Sequence, residues 1–187
     1  MNRLAGALFL GLALWLSGCA QGVAVTGPAP VLRASADMPT ESDETPQRRR
    51  ARLRTELAAA YFQQGQTLVA LDEIKQALLA DPAYADAHNL RGLVFLRLND
   101  WPLAGESFQR ALALSPGDPD ALHNMGWWLC QQSRFDESDQ LFTQAIAHPR
   151  YTQPGKTRVA QGLCQLRAGR PDLAENHWLQ ALSLDAD

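Results

Sequence analysis

The sequence predicts an all-α fold: a solenoid of about four helix pairs that follows an exported leader and a flexible linker. Three observations support this prediction. Alanine, leucine and glutamine are abundant while valine and isoleucine are scarce, a bias that favours helix over strand. After residue 50, small and large side chains recur with a spacing of 34 residues. The first 19 residues carry a separate apolar run that does not share this spacing.

Residues 1–18 are predicted to be a signal peptide. Arg3 is followed by an uncharged apolar run of about 13 residues, shorter than the roughly 20 that a bilayer-spanning helix needs. The run ends in Leu-Ser-Gly-Cys, closing at Cys19, and this sequence resembles the bacterial lipobox. The resemblance implies that Cys19 becomes the acylated mature N-terminus, with palmitate among its chains. The alternative is an ordinary signal peptide beside an unmodified cysteine.

The residue after Cys19 is Ala20 and not aspartate. In the lipoproteins that this sequence resembles, the lack of aspartate at that place implies transport to the outer membrane. Several acyl chains on one cysteine anchor a protein stably, at roughly 0.8 kcal/mol per buried methylene. We therefore expect a lipid-anchored protein at the periplasmic face of the outer membrane, whose lipid is held through acylated Cys19.

Residues 19–50 are interpreted as the lipidated N-terminus and a flexible tether. Prolines, glycines and the acidic stretch 41–44 leave no sustained apolar period, so this segment cannot bury enough surface to offset its ordering entropy. A coil of this length spans about 30 Å. The basic run 48–50 closes the tether. We favour a solvated helix start there over contact with an anionic surface.

Residues 51–187 repeat a small–small–large–small pattern. The four members of each position are Ala58, Gly92, Gly126 and Gly162; Ala70, Ala104, Ser138 and Ala174; Ile74, Phe108, Phe142 and Trp178; and Ala77, Ala111, Ala145 and Ala181. Small residues let two helices of a pair approach closely, and the large residue fills the space beside them. Each pair leaves an apolar face that the next pair covers.

This pattern resembles the tetratricopeptide repeat, a pair of antiparallel helices called A and B. The resemblance covers 51–187 and implies repeats at 51–84, 85–118, 119–154 and 155–187. The fourth repeat departs from the pattern at Arg158, Gln161 and Gln165, where apolar or small residues are usual.

The turns between the predicted helices carry their own signals. Gly65, Asn99 and Gly169 fall at A–B turns, where a left-handed residue ends helix A. The spacing between the third and fourth repeats is 36 residues, not 34. We therefore expect a longer loop at 148–154.

In the tetratricopeptide family, positions 2, 5, 9, 12 and 13 of helix A face a concave partner-binding groove. Carried over, these positions predict a groove that contains Arg52, Thr55, Ala59, Phe62, Gln63, Asp86, Asn89, Leu93, Leu96, Arg97, Asp120, His123, Trp127, Cys130 and Gln131. Apolar anchors with polar neighbours suit a protein-binding surface. The alternative is that the apolar members only pack between adjacent A helices.

Cys130 and Cys164 are predicted to lie on the A helices of adjacent repeats. An oxidising compartment, with Cys19 committed to lipid, leaves these two to pair. A disulfide requires their Cα atoms to be about 4.4–6.8 Å apart, closer than the usual spacing of helix axes. The alternative is two buried free thiols.

No catalytic or metal-binding pattern is recognisable in the sequence. The four histidines show no i, i+4 pairing with each other or with cysteine, and no glycine-rich phosphate loop or Gly-x-Ser-x-Gly elbow occurs. The net charge of −3 does not favour nucleic acid. We therefore expect no enzyme activity, no cofactor, no metal, no nucleic-acid partner and no small-molecule substrate.

The third helix A reads Asn124-Met125-Gly126-Trp127-Trp128-Leu129-Cys130, and the fourth contains Gly162-Leu163-Cys164. With the lipobox, this resembles the PilF/PilW family of type IV pilus biogenesis lipoproteins. The resemblance implies a pilotin, which helps the secretin reach the outer membrane and multimerise there. The implied partners are the secretin and other type IV pilus assembly proteins.

Two expectations qualify the resemblance to that family. The alternative function is a lipoprotein scaffold for peptidoglycan hydrolases or other envelope assembly. The family typically carries about six repeats, so the face of the fourth repeat is expected to need a cover from further residues, a partner or a second copy.

Overall fold

The computed structural model describes residues 43–184. The predictions for the signal peptide, for Cys19 and for most of the tether lie outside the described residues. Within them the chain forms eight α-helices: α1 (Pro46–Gln63), α2 (Thr67–Ala80), α3 (Ala85–Arg97), α4 (Trp101–Leu114), α5 (Pro119–Gln131), α6 (Phe135–Ala147), α7 (Pro154–Arg167) and α8 (Pro171–Leu184). No helix in this part of the chain is long and apolar enough to cross a membrane. The all-α repeat fold is therefore confirmed.

The helices form four pairs, with α1, α3, α5 and α7 as the A helices. Three residues join the two helices of each pair, whereas four residues join the first three pairs to one another and six residues, 148–153, join α6 to α7. The longer loop is thus confirmed. Each A helix also contacts the next A helix, but no such contact joins the B helices of the described residues. The A helices therefore line the inner side of the stack.

Left-handed residues end the A helices, as predicted for three of the four turns. Gly65, Asn99 and Gly169 have φ angles of 77°, 59° and 75°, and Ser133 takes the same conformation at 61°. Asp100 and Asp118 then cap the helices that follow, since their side chains accept hydrogen bonds from the backbone N–H groups of Leu103 and Ala121. The Ser133 turn was not predicted, because serine is rarely used in this conformation.

The small–large pairs pack against each other inside each repeat. A Cβ atom added to Gly92 would lie 2.3 Å from Phe108 Cε1, and one added to Gly162 would lie 2.3 Å from Trp178 Nε1. At Gly126 the corresponding distance to Phe142 is 3.0 Å. In the second, third and fourth repeats the ring of the B helix therefore lies directly on the backbone of its A helix, as the repeat pattern predicts.

The first helix begins earlier than the sequence boundary at residue 51. It starts at Pro46, with Thr45 as its N-cap, whose Oγ1 accepts a hydrogen bond from the N–H of Arg48 at 3.1 Å. The tether boundary at residue 50 was therefore wrong for residues 46–50, whereas the helix start favoured for the basic run 48–50 agrees with the structure. Proline is favoured in a first helical turn because its fixed φ suits the helix and its missing N–H needs no partner there.

The fourth repeat forms both of its helices despite its polar residues. Gln161 and Gln165 are buried, and their side-chain amides donate to Asp139 Oδ1 of α6 at 2.8 and 2.9 Å. Arg158 donates to Gln161 Oε1 at 3.0 Å. The three departures from the apolar pattern therefore belong to one hydrogen-bond network between the third and fourth repeats.

A disulfide also joins these two repeats in the structure. Cys130 on α5 and Cys164 on α7 have Cα atoms 5.8 Å apart, and both side chains are buried beside Phe142 and Ala160. The A helices thus approach closely enough at this level for the predicted bond.

Candidate functional site: the concave groove

A groove of about 640 Å³ runs across the A helices of the first three repeats. Phe62, Leu90 and Leu93 are half-buried and provide its apolar surface, while aspartate and asparagine side chains provide polar groups. Its full lining is Ala59, Phe62, Gln63, Asp86, Asn89, Leu90, Leu93, Asp118, Asp120, His123, Asn124 and Lys156. Apolar surface flanked by hydrogen-bonding groups is suited to an extended or helical segment of a protein.

The structure brings together about half of the predicted groove positions. Those that line the groove are Ala59, Phe62, Gln63, Asp86, Asn89, Leu93, Asp120 and His123. Those that lie outside its lining are Arg52, Thr55, Leu96, Arg97, Trp127, Cys130 and Gln131. The separation has physical causes, since the second group is engaged in contacts within the chain.

Thr55 and Arg52 are occupied by neighbours on their own helix or just before it. Thr55 is buried, and its hydroxyl donates to the carbonyl of Ala51 at 2.8 Å. Arg52 pairs with Glu44 at 3.2 Å and with Glu56 at 3.0 Å. Hydrogen bonds to these two carboxylates raise the pKa of Arg52 above its already high ordinary value.

The other positions outside the groove pack or bond elsewhere. Arg97 lies over the ring of Phe62 at 4.2 Å, where it covers one side of a groove residue without lining the groove. Leu96 and Trp127 are half-buried and pack against core clusters. Gln131 accepts a hydrogen bond from Arg167 at 2.5 Å. For Leu96 and Trp127, packing between helices is the reading that the structure supports.

Sequence reasoning missed Leu90, Asp118, Asn124 and Lys156 as groove residues. Asn124 donates to Asn89 Oδ1 at 3.0 Å, so two amides of adjacent repeats form a bonded pair along the groove. Asp118 caps α5 through its side chain. Lys156 lies in the first turn of α7, a helix to which no groove position had been assigned.

Three carboxylates and one ammonium set the charge of the groove. Asp86, Asp118 and Asp120 face Lys156, which leaves an acidic surplus among the lining residues. Burial raises the pKa of Asp120, as do the charges of Asp118 and Asp86, while Lys156 opposes the shift. The charges of Asp118 and Asp86 thus disfavour the ionised form of Asp120.

His123 joins the groove to the loop between α6 and α7. Its Nδ1 lies 2.7 Å from Thr157 Oγ1, which lies 2.6 Å from the hydroxyl of Tyr151. The histidine is only 9% exposed, and burial, helped by the charge of Lys156, lowers its pKa to about 4. At neutral pH His123 is therefore uncharged and serves as a hydrogen-bonding wall of the groove.

Among residues 43–184, no three histidine, cysteine or acidic side chains are grouped so that they could hold a metal ion. The arrangement in the groove offers shape, apolar surface and hydrogen bonds. These are the properties of a binding surface.

Comparisons with known sequences place these features among related proteins. The chain matches models of the tetratricopeptide repeat over residues 55–119 and 121–153, together slightly more than half of its length. The type IV pilus assembly protein PilF of Pseudomonas aeruginosa is 30% identical over 130 residues, which are 70% of this chain and 52% of that protein. An uncharacterized protein of Haemophilus influenzae is 28% identical, over 66% of this chain and 69% of that protein. The chain thus spans about half the length of the PilF relative.

Comparison with solved structures also finds type IV pilus proteins. PilW, described as a widely conserved type IV pilus biogenesis factor, superimposes with a TM-score of 0.70 at 30% identity, over 73% of this chain and 62% of that one. The structure of P. aeruginosa PilF superimposes with a TM-score of 0.71 at 28% identity, over 75% of this chain and 63% of that one. MamA shares the fold: it superimposes with a TM-score of 0.59 at 21% identity, over 71% of this chain and 77% of that one.

Proposed function

Because the chain belongs to the tetratricopeptide-repeat family and is a PilF/PilW-like member of it, we propose that it acts in type IV pilus biogenesis as a pilotin. In this role it binds a segment of the secretin and assists its localisation and multimerisation. It acts through protein–protein contacts with the secretin and other pilus assembly proteins, and catalyses no reaction.

The concave groove carries this proposal. It spans three repeats and exposes apolar surface beside the Asn89–Asn124 pair, which leaves polar groups at hand for a bound backbone. Its walls are fixed, since Arg97 covers Phe62 and Thr157 holds His123. A preformed groove loses little entropy on binding, which suits a protein that must hold a partner segment during assembly.

The proposed location rests on the N-terminal sequence. Acylated Cys19 anchors the protein in the outer membrane at its periplasmic face, and the linker up to Thr45 gives the repeats a reach of about 30 Å. Metabolic labelling with palmitate tests this anchor. We expect label in the natural protein and none in Cys19→Ser, which should also leave the outer-membrane fraction. Label that persists in Cys19→Ser would contradict the anchor.

Complementation of a gene deletion tests the function. The deletion should abolish surface pili and heat-stable secretin multimers, and the natural gene should restore both. Leu93→Glu places a charge in the apolar part of the groove and Asp86→Lys reverses an exposed charge at its edge, so both should fail to restore multimers. Gln109→Glu, an exposed change on α4 away from the groove, is the matched control and should complement fully.

Circular dichroism must show that both groove variants are folded. Secretin multimers that form normally with both would contradict the proposal. A pull-down from solubilised outer membranes supplies the second measurement. Recovery of the secretin supports a pilotin, whereas recovery of peptidoglycan hydrolases without secretin would favour the alternative scaffold.

A further inference from the structure

A second cavity lies between the first B helix and the second A helix. This slot, of about 490 Å³, is bordered by α2 and α3 and shares no lining residue with the groove. Its lining residues are Leu71, Ile74, Lys75, Leu78, Leu79, Arg91 and Phe95. Leu79 at its rim is 75% exposed, the largest exposure of any large apolar side chain among the described residues.

An arginine borders the slot at a position where the next repeat has an apolar residue. In the next repeat, the residue that corresponds to Arg91 is Met125, which is buried in the core with Leu129. Arg91 instead extends over the ring of Phe95, with its guanidinium carbon 5.1 Å from the ring centre. The first junction therefore has a cation where the second has a buried apolar side chain.

Two cations border this apolar slot. Arg91 forms no ion pair with a carboxylate of the described residues. Lys75 bonds only Asp72, at 2.9 Å, and both of these side chains are well exposed, so the pair is weak and exchangeable. An apolar slot with an unneutralised guanidinium is complementary to a ligand that carries an apolar group beside a carboxylate.

We propose that this slot is a second docking site, which takes an acidic amphipathic segment of a partner protein. Apolar side chains of that segment enter between Leu71, Leu78 and Phe95, and its carboxylates pair with Arg91 and Lys75. The lining of α2 covers two turns, about 12 Å of helix. Apolar side chains at i and i+4 of a helix lie about 6 Å apart along its axis and fit within this length, whereas an extended acyl chain of a membrane lipid is longer than the slot. The site is independent of the concave groove and of its proposed partner.

A pair of synthetic peptides tests the proposal. The first is a fluorescein-labelled 14-residue amphipathic helix with leucine at i and i+4 flanked by glutamates. The second is identical except that lysines replace the glutamates. Fluorescence anisotropy is measured with the full chain in neutral detergent micelles. The acidic peptide should bind at least about tenfold more tightly than its basic twin, and its affinity should fall as salt is raised.

Variants then locate the site. Arg91→Met should weaken binding of the acidic peptide roughly fivefold or more, because it removes the charge and fills the slot, while Arg91→Lys should retain most of the affinity. Leu79→Ser should weaken both peptides. Arg150→Met, which neutralises an exposed arginine in the loop 148–153, is the matched control and should bind like the natural protein. Groove variant Leu93→Glu should also bind the acidic peptide normally, so failure of the groove and of the slot are distinguishable.

Three outcomes would overturn the inference. Equal binding of the acidic and basic peptides would reduce the slot to a non-specific apolar surface. Unchanged affinity in Arg91→Met would place the peptide elsewhere. Complete displacement of the peptide by phosphatidylglycerol vesicles, but not by phosphatidylcholine vesicles, with loss of vesicle binding in Arg91→Met, would assign the slot to an anionic lipid.

Discussion

The junction between the first and second repeats and the junction between the third and fourth use the same backbone positions in opposite ways. At the first, Leu71, Arg91 and Phe95 surround an open apolar slot. At the third, the corresponding residues are Asp139, Gln161 and Gln165, and both glutamines donate hydrogen bonds to Asp139. The third junction is also linked by the disulfide, whereas the first has no covalent link among the described residues.

This difference indicates that the two junctions have different roles: one holds repeats together and the other presents a surface. Gln161 is only 1% exposed and makes bonds to Asp139 at 2.8 Å and to Thr143 at 3.3 Å, so the third junction is closed and specified by geometry. The first junction leaves a cation and apolar side chains open to solvent. We infer that the third junction stabilises the stack and that the first is free to bind.

The largest expected effect comes from the disulfide. Replacing both Cys130 and Cys164 by alanine should lower the free energy of unfolding by about 3–4 kcal/mol, since the bond closes a loop of 34 residues. Urea unfolding monitored by circular dichroism measures the change. Each single alanine variant should lose nearly as much as the pair, because either one breaks the bond. A double variant that loses less than about 1 kcal/mol would contradict a bonded pair.

A pH effect should follow from His123. Its pKa is about 4 in the fold, below its ordinary value of 6.5, so the unfolded chain binds this proton first. The stability that the neutral histidine contributes is complete above pH 6.5 and is lost as the pH falls from 6.5 towards 4, by about 3 kcal/mol in total. Urea unfolding at several pH values measures the slope.

His123→Asn is the matched control for this titration, because asparagine stands at the corresponding position of the second repeat, as Asn89. Burial also lowers the pKa of His88 and of His177, but both remain in the variant and cancel in the difference between the two proteins. Equal pH slopes for the two proteins would refute the assignment to His123.

The fold could be predicted from the sequence because its decisive contacts recur at fixed spacing. Gly92 and Phe108, or Gly162 and Trp178, meet at the same offset in each repeat, so four weak signals reinforce one another. The start of α1 lay outside the repeat pattern, so a helix start was favoured only for the basic run 48–50 and the first two residues of α1 were missed. Thr45 and Pro46 were the local signal that could have found it, since they form an N-cap and first turn.

The candidate site was less predictable because it depends on what each side chain bonds in three dimensions. Thr55 stands at a groove position, but its hydroxyl bonds the carbonyl four residues earlier. Gln161 and Gln165 were recognised as departures from the apolar repeat pattern. Their burial is favourable because both amides bond Asp139, which lies on another repeat. Such pairings follow from packing and not from the spacing of a single helix.

The next prediction concerns Asp139, which accepts the hydrogen bonds of both glutamines at the third junction. Asp139→Ala should cost about 2–3 kcal/mol, because the amides of two buried glutamines lose their charged acceptor. Asp136→Ala on the same helix is the control: it removes an ion pair to Arg170 from a side chain that is 79% exposed, and should cost less than about 0.5 kcal/mol. Thermal and urea unfolding compare the two. Equal costs would mean that the buried network is not what closes this junction.

The smallest effect on the free energy of unfolding is expected when methionine replaces Arg91 in the first junction, and it is compared with methionine in place of Gln161 at the same repeat position of the third. Arg91→Met should change the free energy of unfolding by less than about 0.5 kcal/mol, because the lost contact with Phe95 is offset by apolar burial in the slot. Gln161→Met should cost about 1–2 kcal/mol, because Arg158 loses its bond to Gln161 and Asp139 keeps only the glutamine bond from Gln165. Methionine is native at this position of the second repeat, as Met125, so its shape is compatible with the backbone. Urea unfolding of the two variants under one condition gives the contrast directly. If Arg91→Met proved the more damaging, the arginine would be a structural part of the first junction, and the division between a binding junction and a stabilising one would fail.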